Sequence, residues 1–442
     1  MRQCNKIVIY LLNIGFTLSS IVISSSITRI AFASFIGTAI EYYDFYIYGM
    51  ASALVIGPVF FPEGAPEVQV FSAFLTFSIA FLSRPFGAML FGHFGDRIGR
   101  KSTLIVSLLL MGLSTTFIGC LPGYNEIGIL APILLCFFRF GQGIGLGGEW
   151  GGAALFATEN APIGKRGLYG MFPQLGPPVG FILATCSFLI LTKLLTVEEF
   201  NNWGWRIPFI ASALLVLIGL YIRVSLSETP VFEKFLQKGI RVCLPILGIF
   251  KSHLAPLLLG ALAMVVCYAL FYISTVFSLS YGTTKLKIPR QSFLEMLSIA
   301  IFFMALATPI SAWAADKWGR RPILLISATG VFISGFILEP MMSTGSPYLI
   351  TILLSIQLFL MGATFSPMGA LLPELFPAHL RYTGAGTAYN LGGIIGASFA
   401  PYIAQRLVTE GGLAWVGGYV SIAALISLIA VYFISETRHN EW

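Results

Sequence analysis

Long apolar runs alternate with short polar breaks along almost the whole chain. A typical pair is "VQVFSAFLTFSIAFLSRPFGAMLF" and "STLIVSLLLMGLSTTFIGCL", separated by the knot "HFGDRIGRK". A run of about 20 apolar residues is long enough to cross ~30 Å of hydrocarbon as a helix. Twelve such spans are predicted, at 33–57, 68–92, 102–121, 130–157, 168–192, 205–224, 253–280, 291–313, 322–340, 348–372, 384–409 and 416–435. The breaks are short and rich in Gly, Pro and charge, as helix connections are. The expected fold class is an all-α membrane protein with twelve transmembrane helices.

The polar breaks are written twice. Asp96-Arg97-x-Gly99-Arg100-Lys101 aligns with Asp316-Lys317-x-Gly319-Arg320-Arg321 at an offset of 220. Glu159, Pro162 and Arg166 repeat as Glu374, Pro377 and Arg381 at an offset of 215, and "SET" at 227–229 repeats at 435–437. Three ordered repeats at similar offsets imply two duplicated six-helix halves. They run parallel, related by an axis along the membrane normal, with the substrate site expected between them at the midplane. The domains then read as a leader 1–30, a first half 31–224, a linker 225–252, a second half 253–435 and a tail 436–442.

Composition supports this reading. Only 10% of the 442 residues are charged and 57% are hydrophobic, where a soluble domain carries about 25% charged residues. The net charge of +7 is spread over short loops, so no nucleic-acid partner is implied. One set of loops and helix ends carries Arg97, Arg100, Lys101, Lys165, Arg166, Arg223, Lys317, Arg320, Arg321, Arg381 and others; the opposite set carries few basic residues. The basic set is expected on the cytoplasmic side, with both termini of the twelve-span core inside. Residues 7–24 are apolar, but a thirteenth span there would leave Arg2 and Lys6 outside, so a non-spanning or interfacial leader is expected.

An ionisable side chain at mid-bilayer costs roughly 2.5–3.5 kcal/mol on insertion scales, so each one needs a reason. The first half has Glu41, Asp44, Arg84, Arg139 and Glu149. Glu41, Asp44 and Tyr48 share one helical stripe, and Arg139, Gln142 and Glu149 another. At ~1.5 Å per residue Asp44 lies about 16 Å from its cytoplasmic end and Arg139 about 13 Å from its outer end, so the two are expected to pair near the midplane. Glu41, Arg84 and Glu149 are expected to form a second, deeper cluster. All four histidines fall at span ends or in loops, so a carboxylate is the candidate proton carrier: Asp44, with Glu41 and Glu149. Candidate substrate contacts are Arg139, Gln142 and Tyr48, with Tyr268, Tyr272, Tyr389 and Asn390 in a second half that has no midspan charge. A cavity between the halves, lined by Asp44, Arg139 and Tyr272, is expected. The motif Gly143-x-Gly145-x-x-Gly148 mimics a dinucleotide fingerprint, but it lies inside an apolar run, where small residues serve close helix packing. No zinc-protease, phosphate-loop or hydrolase motif is present. No cofactor, no metal and no enzymatic activity are expected.

A basic topology anchor needs no Asp and no Gly, yet both recur in each copy of the knot. Asp96, Arg97, Gly99 and Arg100, with Asp316, Gly319 and Arg320, are therefore candidates for a latch between the halves. "GHFGDRIGRK" and "ADKWGRR" resemble the loop signature of the major facilitator superfamily. "GTAIEYYDFYIYG", "RFGQGIGLGGEWGGAA", "WGWRIPF" and "SETPVFEK" resemble its metabolite:proton symporter branch, from about residue 31 onward. That branch includes permeases for shikimate, α-ketoglutarate, citrate, and proline or betaine, and the sequence most resembles its inner-membrane metabolite transporters of unassigned substrate. The leader matches nothing in that pattern, and the chain lacks the C-terminal coiled coil of some osmolyte carriers. The resemblance implies a major facilitator fold and proton-coupled symport of a small organic acid or zwitterion by alternating access. It places a monomer in the inner (plasma) membrane, with metabolite, proton and lipid bilayer as partners. A facilitator or antiporter on the same scaffold, and a membrane sensor that has lost transport, are the alternatives.

Overall fold

The computed structural model describes residues 27–64, 66–98, 100–162, 164–224, 245–378 and 380–438. Most of the expected leader, the larger part of the linker, and Gly99 lie outside the described residues. Twelve long helices are built from the described residues. In the first half these are α1 (Ile27–Leu54), α2 (Pro66–Ile98), α3 (Arg100–Cys120), α4 (Leu130–Glu159), α5 (Arg166–Leu194) and α6 (Arg206–Val224). In the second half α7 runs from Leu254–Tyr272 through a π-helical turn, Ile273–Phe277, to Ser278–Thr284. It is followed by α8 (Arg290–Trp318), α9 (Arg320–Met342) and α10 (Pro347–Phe365, continued by Met368–Glu374). The last two are α11 (Arg381–Gly393, a π-helical turn Ile394–Ser398, then Ala400–Gly411) and α12 (Leu413–Phe433).

The principal packing pairs repeat when six is added to each helix number. α1 packs on α5, α2 on α4, and α3 on α4 and α6; α7 packs on α11, α8 on α10, and α9 on α10 and α12. The halves meet through α5 on α8 and α2 on α11, a pair that maps onto itself under the same exchange. This is the major facilitator fold.

Position in the bundle follows from composition. Among the described residues ten helices are apolar and long enough to cross a bilayer by themselves. The other two, α1 with Glu41 and Asp44 and α11 with its run of Gly, Thr and Tyr, are enclosed by neighbours along most of their length. The outward faces of α3, α6, α9 and α12 expose Leu113, Phe117, Leu214, Tyr221, Ile333, Phe336, Ile422 and Phe433. Such an apolar surface is suited to lipid tails. The glycine stripe of α4 acts as packing: a Cβ on Gly143 would sit 2.1 Å from the Ala80 carbonyl oxygen, and one on Gly147 2.0 Å from that of Arg84. Only hydrogen at these positions lets α4 lie directly on α2.

The knot between spans two and three is not an irregular loop. Its residues through Ile98 are the last turns of α2, and Arg100 already begins α3.

Candidate functional site

At the end of the bundle that carries the repeated motifs, called here the basic end, three carboxylates organise the second half. Asp316, near the end of α8, accepts hydrogen bonds from the backbone N–H groups of Gly167 and Leu168, both at 2.8 Å. These are unpaired donors in the first turn of α5, where partial positive charge favours a carboxylate. The contact joins the two halves. Arg320 pairs with Asp316 at 3.1 Å and with Glu374 at 3.3 Å. Glu374 also accepts from the Thr437 hydroxyl at 2.6 Å. Glu436 receives the backbone N–H groups of Arg320 and Arg321, both at 3.0 Å, and so caps α9. The second copies of all three repeated motifs thus form one network. Gly319 sits at φ 106°, and a Cβ there would meet the Glu436 carboxylate at 2.5 Å. In the first half Asp96 and Arg97 fall in the last turn of α2 and Arg100 opens α3; their side chains, and Gly99 entirely, are outside the described residues.

Deeper in the first half Arg223, near the end of α6, pairs with both Glu41 of α1 and Glu149 of α4. Glu149 accepts a second Arg223 bond and one from the Ser107 hydroxyl, both at 2.8 Å. All three ionic side chains are buried. The cluster expected around Arg84 therefore forms around Arg223 instead. Sequence reading took Arg223 as a loop-end charge, because helix depth and reach are not visible in a linear string.

The expected Asp44–Arg139 pair is also absent. Arg139 donates to Gln142 Oε1, to the Phe77 carbonyl at 3.1 Å and to the Thr76 carbonyl at 3.5 Å. Its guanidinium lies 3.7 Å from the centroid of the Tyr48 ring, and the Tyr48 hydroxyl bonds Thr76 at 2.6 Å. Gln142 Nε2 in turn donates to the Asp44 carbonyl at 3.0 Å and to the Thr115 hydroxyl at 2.9 Å. The Asp44 carboxylate is fully buried and has no ion-pair partner among the described residues. It faces Thr115 of α3 and Ser212 of α6. Asp44 and Arg139 are linked indirectly, through Gln142 and Thr115.

The seam between the halves is aromatic. Trp150 of α4 stacks on Tyr389 of α11, with ring centroids 3.9 Å apart and planes within 5°. Trp150 Nε1 donates to Gln174 Oε1, and Gln174 Nε2 reaches the Phe365 carbonyl across the seam, at 2.9 and 2.8 Å. The hydroxyls of Tyr42 and Tyr389 touch. Asn390 donates to the Gly147 carbonyl at 3.0 Å. The Tyr272 ring packs against Phe45, Phe77 and Phe81, 5.3 to 6.4 Å between centroids. The Tyr268 ring lies 5.4 Å from that of Tyr389, and its buried hydroxyl faces the Tyr389 hydroxyl. Arg84 stands over Phe45 and Phe81, 4.4 and 4.0 Å from their centroids. Farther from the basic end, about midway along α2 and α11, Ser78 donates to the Ser398 carbonyl at 2.5 Å. The two halves thus touch at more than one level of the seam. A cleft beside it, lined by Tyr46, Tyr272, Thr275 and Leu297 among others, is about 10 Å³, room for one water at most. It does not include Asp44 or Arg139, contrary to expectation.

The chain as a whole resembles known proteins. Residues 29–239 match the family described as "Sugar (and other) transporter", and residues 283–442 match "Major Facilitator Superfamily". The chain is 51% identical, over 94% of its length and 96% of the relative's, to the inner membrane metabolite transport protein YhjE of Escherichia coli K12. It is 36% identical to the shikimate transporter of the same strain, over 93% and 95% of the two chains. It is 31% identical to that strain's proline/betaine transporter, over 92% and 83%. Among solved structures it resembles the proton:xylose symporter XylE, with TM-score 0.73 and 17% identity over 94% and 97% of the chains.

Proposed function

Since the chain belongs to the major facilitator superfamily, we propose that it is a proton-coupled symporter for a small organic acid or zwitterionic metabolite, working by alternating access. The observation that carries this reading is Asp44. A carboxylate buried in a helical bundle with no ion-pair partner among the described residues and only hydroxyls facing it is expensive as an anion and far cheaper with a proton on it. A group in that position is suited to take a proton where the bundle is open and release it where solvent reaches it again.

The neighbouring bonds supply a route for coupling. Arg139 holds Gln142, and Gln142 holds Thr115, which lies beside Asp44. A substrate that pulls on Arg139 or on the helix carrying it alters the polar surroundings of Asp44, so substrate and proton bind as linked events. The Asp316 latch and the Tyr42–Tyr389 contact close the basic end. Following the bias of Lys and Arg, that end and both core termini lie in the cytoplasm. The seam lies within one chain, so a monomer suffices, seated in the inner membrane as YhjE is by name.

The test is uptake by proteoliposomes containing the purified protein. Accumulation against a substrate gradient, driven by an imposed proton gradient, supports symport. Equilibration without accumulation would leave a facilitator. No flux with any organic acid or zwitterion would leave a non-transporting membrane protein.

A further inference from the structure

The first half buries two guanidiniums beside the same Phe45 ring, and their donors are used differently. Arg139 is engaged with Gln142 and two backbone carbonyls. Arg84 is 1% exposed, yet its Nε and Nη2 have no hydrogen-bond partner among the described residues. Its charge rests on the faces of Phe45 and Phe81. Phenols converge on it from both halves. The Tyr272 hydroxyl is in hydrogen-bonding reach of the guanidinium, leaving Nε and Nη2 unused, and Tyr42, Tyr268 and Tyr389 lie within its electrostatic reach.

A buried guanidinium with idle donors costs free energy unless something completes it. In a transmembrane bundle such a group marks a ligand pathway. The kind of ligand follows from the rings. An aromatic cage can hold a quaternary ammonium against its ring faces, but here the faces of Phe45 and Phe81 already carry the protein's own cation. A second cation would meet repulsion from Arg84 and from Arg139. Asp44, on the same helix as Phe45, does not offset this, because it faces Thr115 and Ser212 inside the first half. A carboxylate would find the unused fork of N–H donors that guanidinium offers. Hydroxyl groups on its body would find the phenols.

We propose that Arg84 is the anchor for the substrate's carboxylate, and that the site selects anionic, hydroxylated carboxylates over betaine-type zwitterions. This rests on the transport reading and names its substrate class. In the present conformation rings from the two halves meet at this site. Because the site's members come from α1 and α2 on one side and α7 and α11 on the other, parting the halves opens it.

The experiment is thermal unfolding and equilibrium binding with the purified full-length protein in lipid nanodiscs, using four probes. Shikimate is a hydroxylated ring carboxylate, cyclohexanecarboxylate is its apolar analogue, and glycine betaine and proline are zwitterions. Shikimate is expected to raise the melting temperature most, cyclohexanecarboxylate less, and the zwitterions not at all. Arg84→Gln should weaken shikimate binding about 10–100-fold, as loss of hydrogen bonds to a charged group does. Arg84→Lys should retain part of the affinity. Without ligand Arg84→Gln should melt no lower than the unmodified protein, since it removes an unpaired buried charge, so folding is read separately. Equal stabilisation by glycine betaine, unchanged shikimate affinity in Arg84→Gln, or no binding of either carboxylate would each overturn the proposal. Arg84-dependent carboxylate binding without proton-driven uptake would sink symport and leave this inference standing; proton-driven uptake of glycine betaine would do the reverse.

Discussion

At Arg223 one guanidinium serves two buried carboxylates. Removing it strands both, and breaking a buried pair costs roughly 3–5 kcal/mol. Arg223→Gln should therefore lower the melting temperature and the membrane yield sharply. Adding Glu41→Gln should restore part of the loss, because the second change removes one of the stranded charges; a purely additive double variant would refute the pairing. Asp44→Asn should abolish gradient-driven accumulation and leave exchange of substrate down its own gradient, since exchange requires the rocking motion but no proton release. Uptake and exchange measured together across pH check this, with Glu41→Gln and Glu149→Gln as comparisons. The sequence marked Glu41, Asp44, Arg84, Arg139 and Glu149 as midspan charges, because each interrupts an apolar run. It did not reveal which of them meet. Partner choice depends on how each helix is rotated about its own axis, which is set by neighbours such as the glycine stripe of α4 on α2. Arg223 was read only as a helix-end charge because it stands at the end of its run, from which a long side chain still reaches inward.

At the scale of helices, run length predicted all twelve elements, but not where they end. Span two was expected to stop at 92, and α2 continues to Ile98. Polarity ends a hydrophobic run without ending the helix, so the knot read as a loop is mostly helical. The π-helical turns of α7 and α11 left no pattern, since one extra residue per turn barely disturbs an apolar stripe. The Asp316 contact involves a residue marked in the sequence as part of a repeated motif, and its target was not legible, because backbone donors have no sequence signature. Asp316→Asn keeps the shape and loses the charge that faces the start of α5. A charge at a partly buried helix terminus contributes up to about 2 kcal/mol. The expected result is a several-fold lower initial uptake rate with near-normal protein in the membrane. Normal uptake by that variant would reduce the motif to a topology anchor.

For the whole molecule, duplication was visible in three pairs of motifs and reappears as a packing pattern that repeats six helices later. How closely the halves approach was not visible. Gly170 of α5 lies so near Gly369 of α10 that a Cβ on Gly369 would sit 2.4 Å from the Gly170 carbonyl oxygen. Gly369→Val should keep the basic end from closing. A cysteine placed at the buried Thr387 should then react faster with a membrane-impermeant maleimide applied from that side, and unchanged reactivity would show that closure does not depend on this contact.

The seam also has an optical consequence. Trp150 lies flat against Tyr389 of the other half, its indole N–H bonded to Gln174. When the halves part at this seam, the indole loses its stacking partner and meets water, so its emission shifts to longer wavelength. Comparison with Trp150→Phe isolates that signal from the other tryptophans. The unlabelled chain thus contains its own fluorophore for timing each opening and closing.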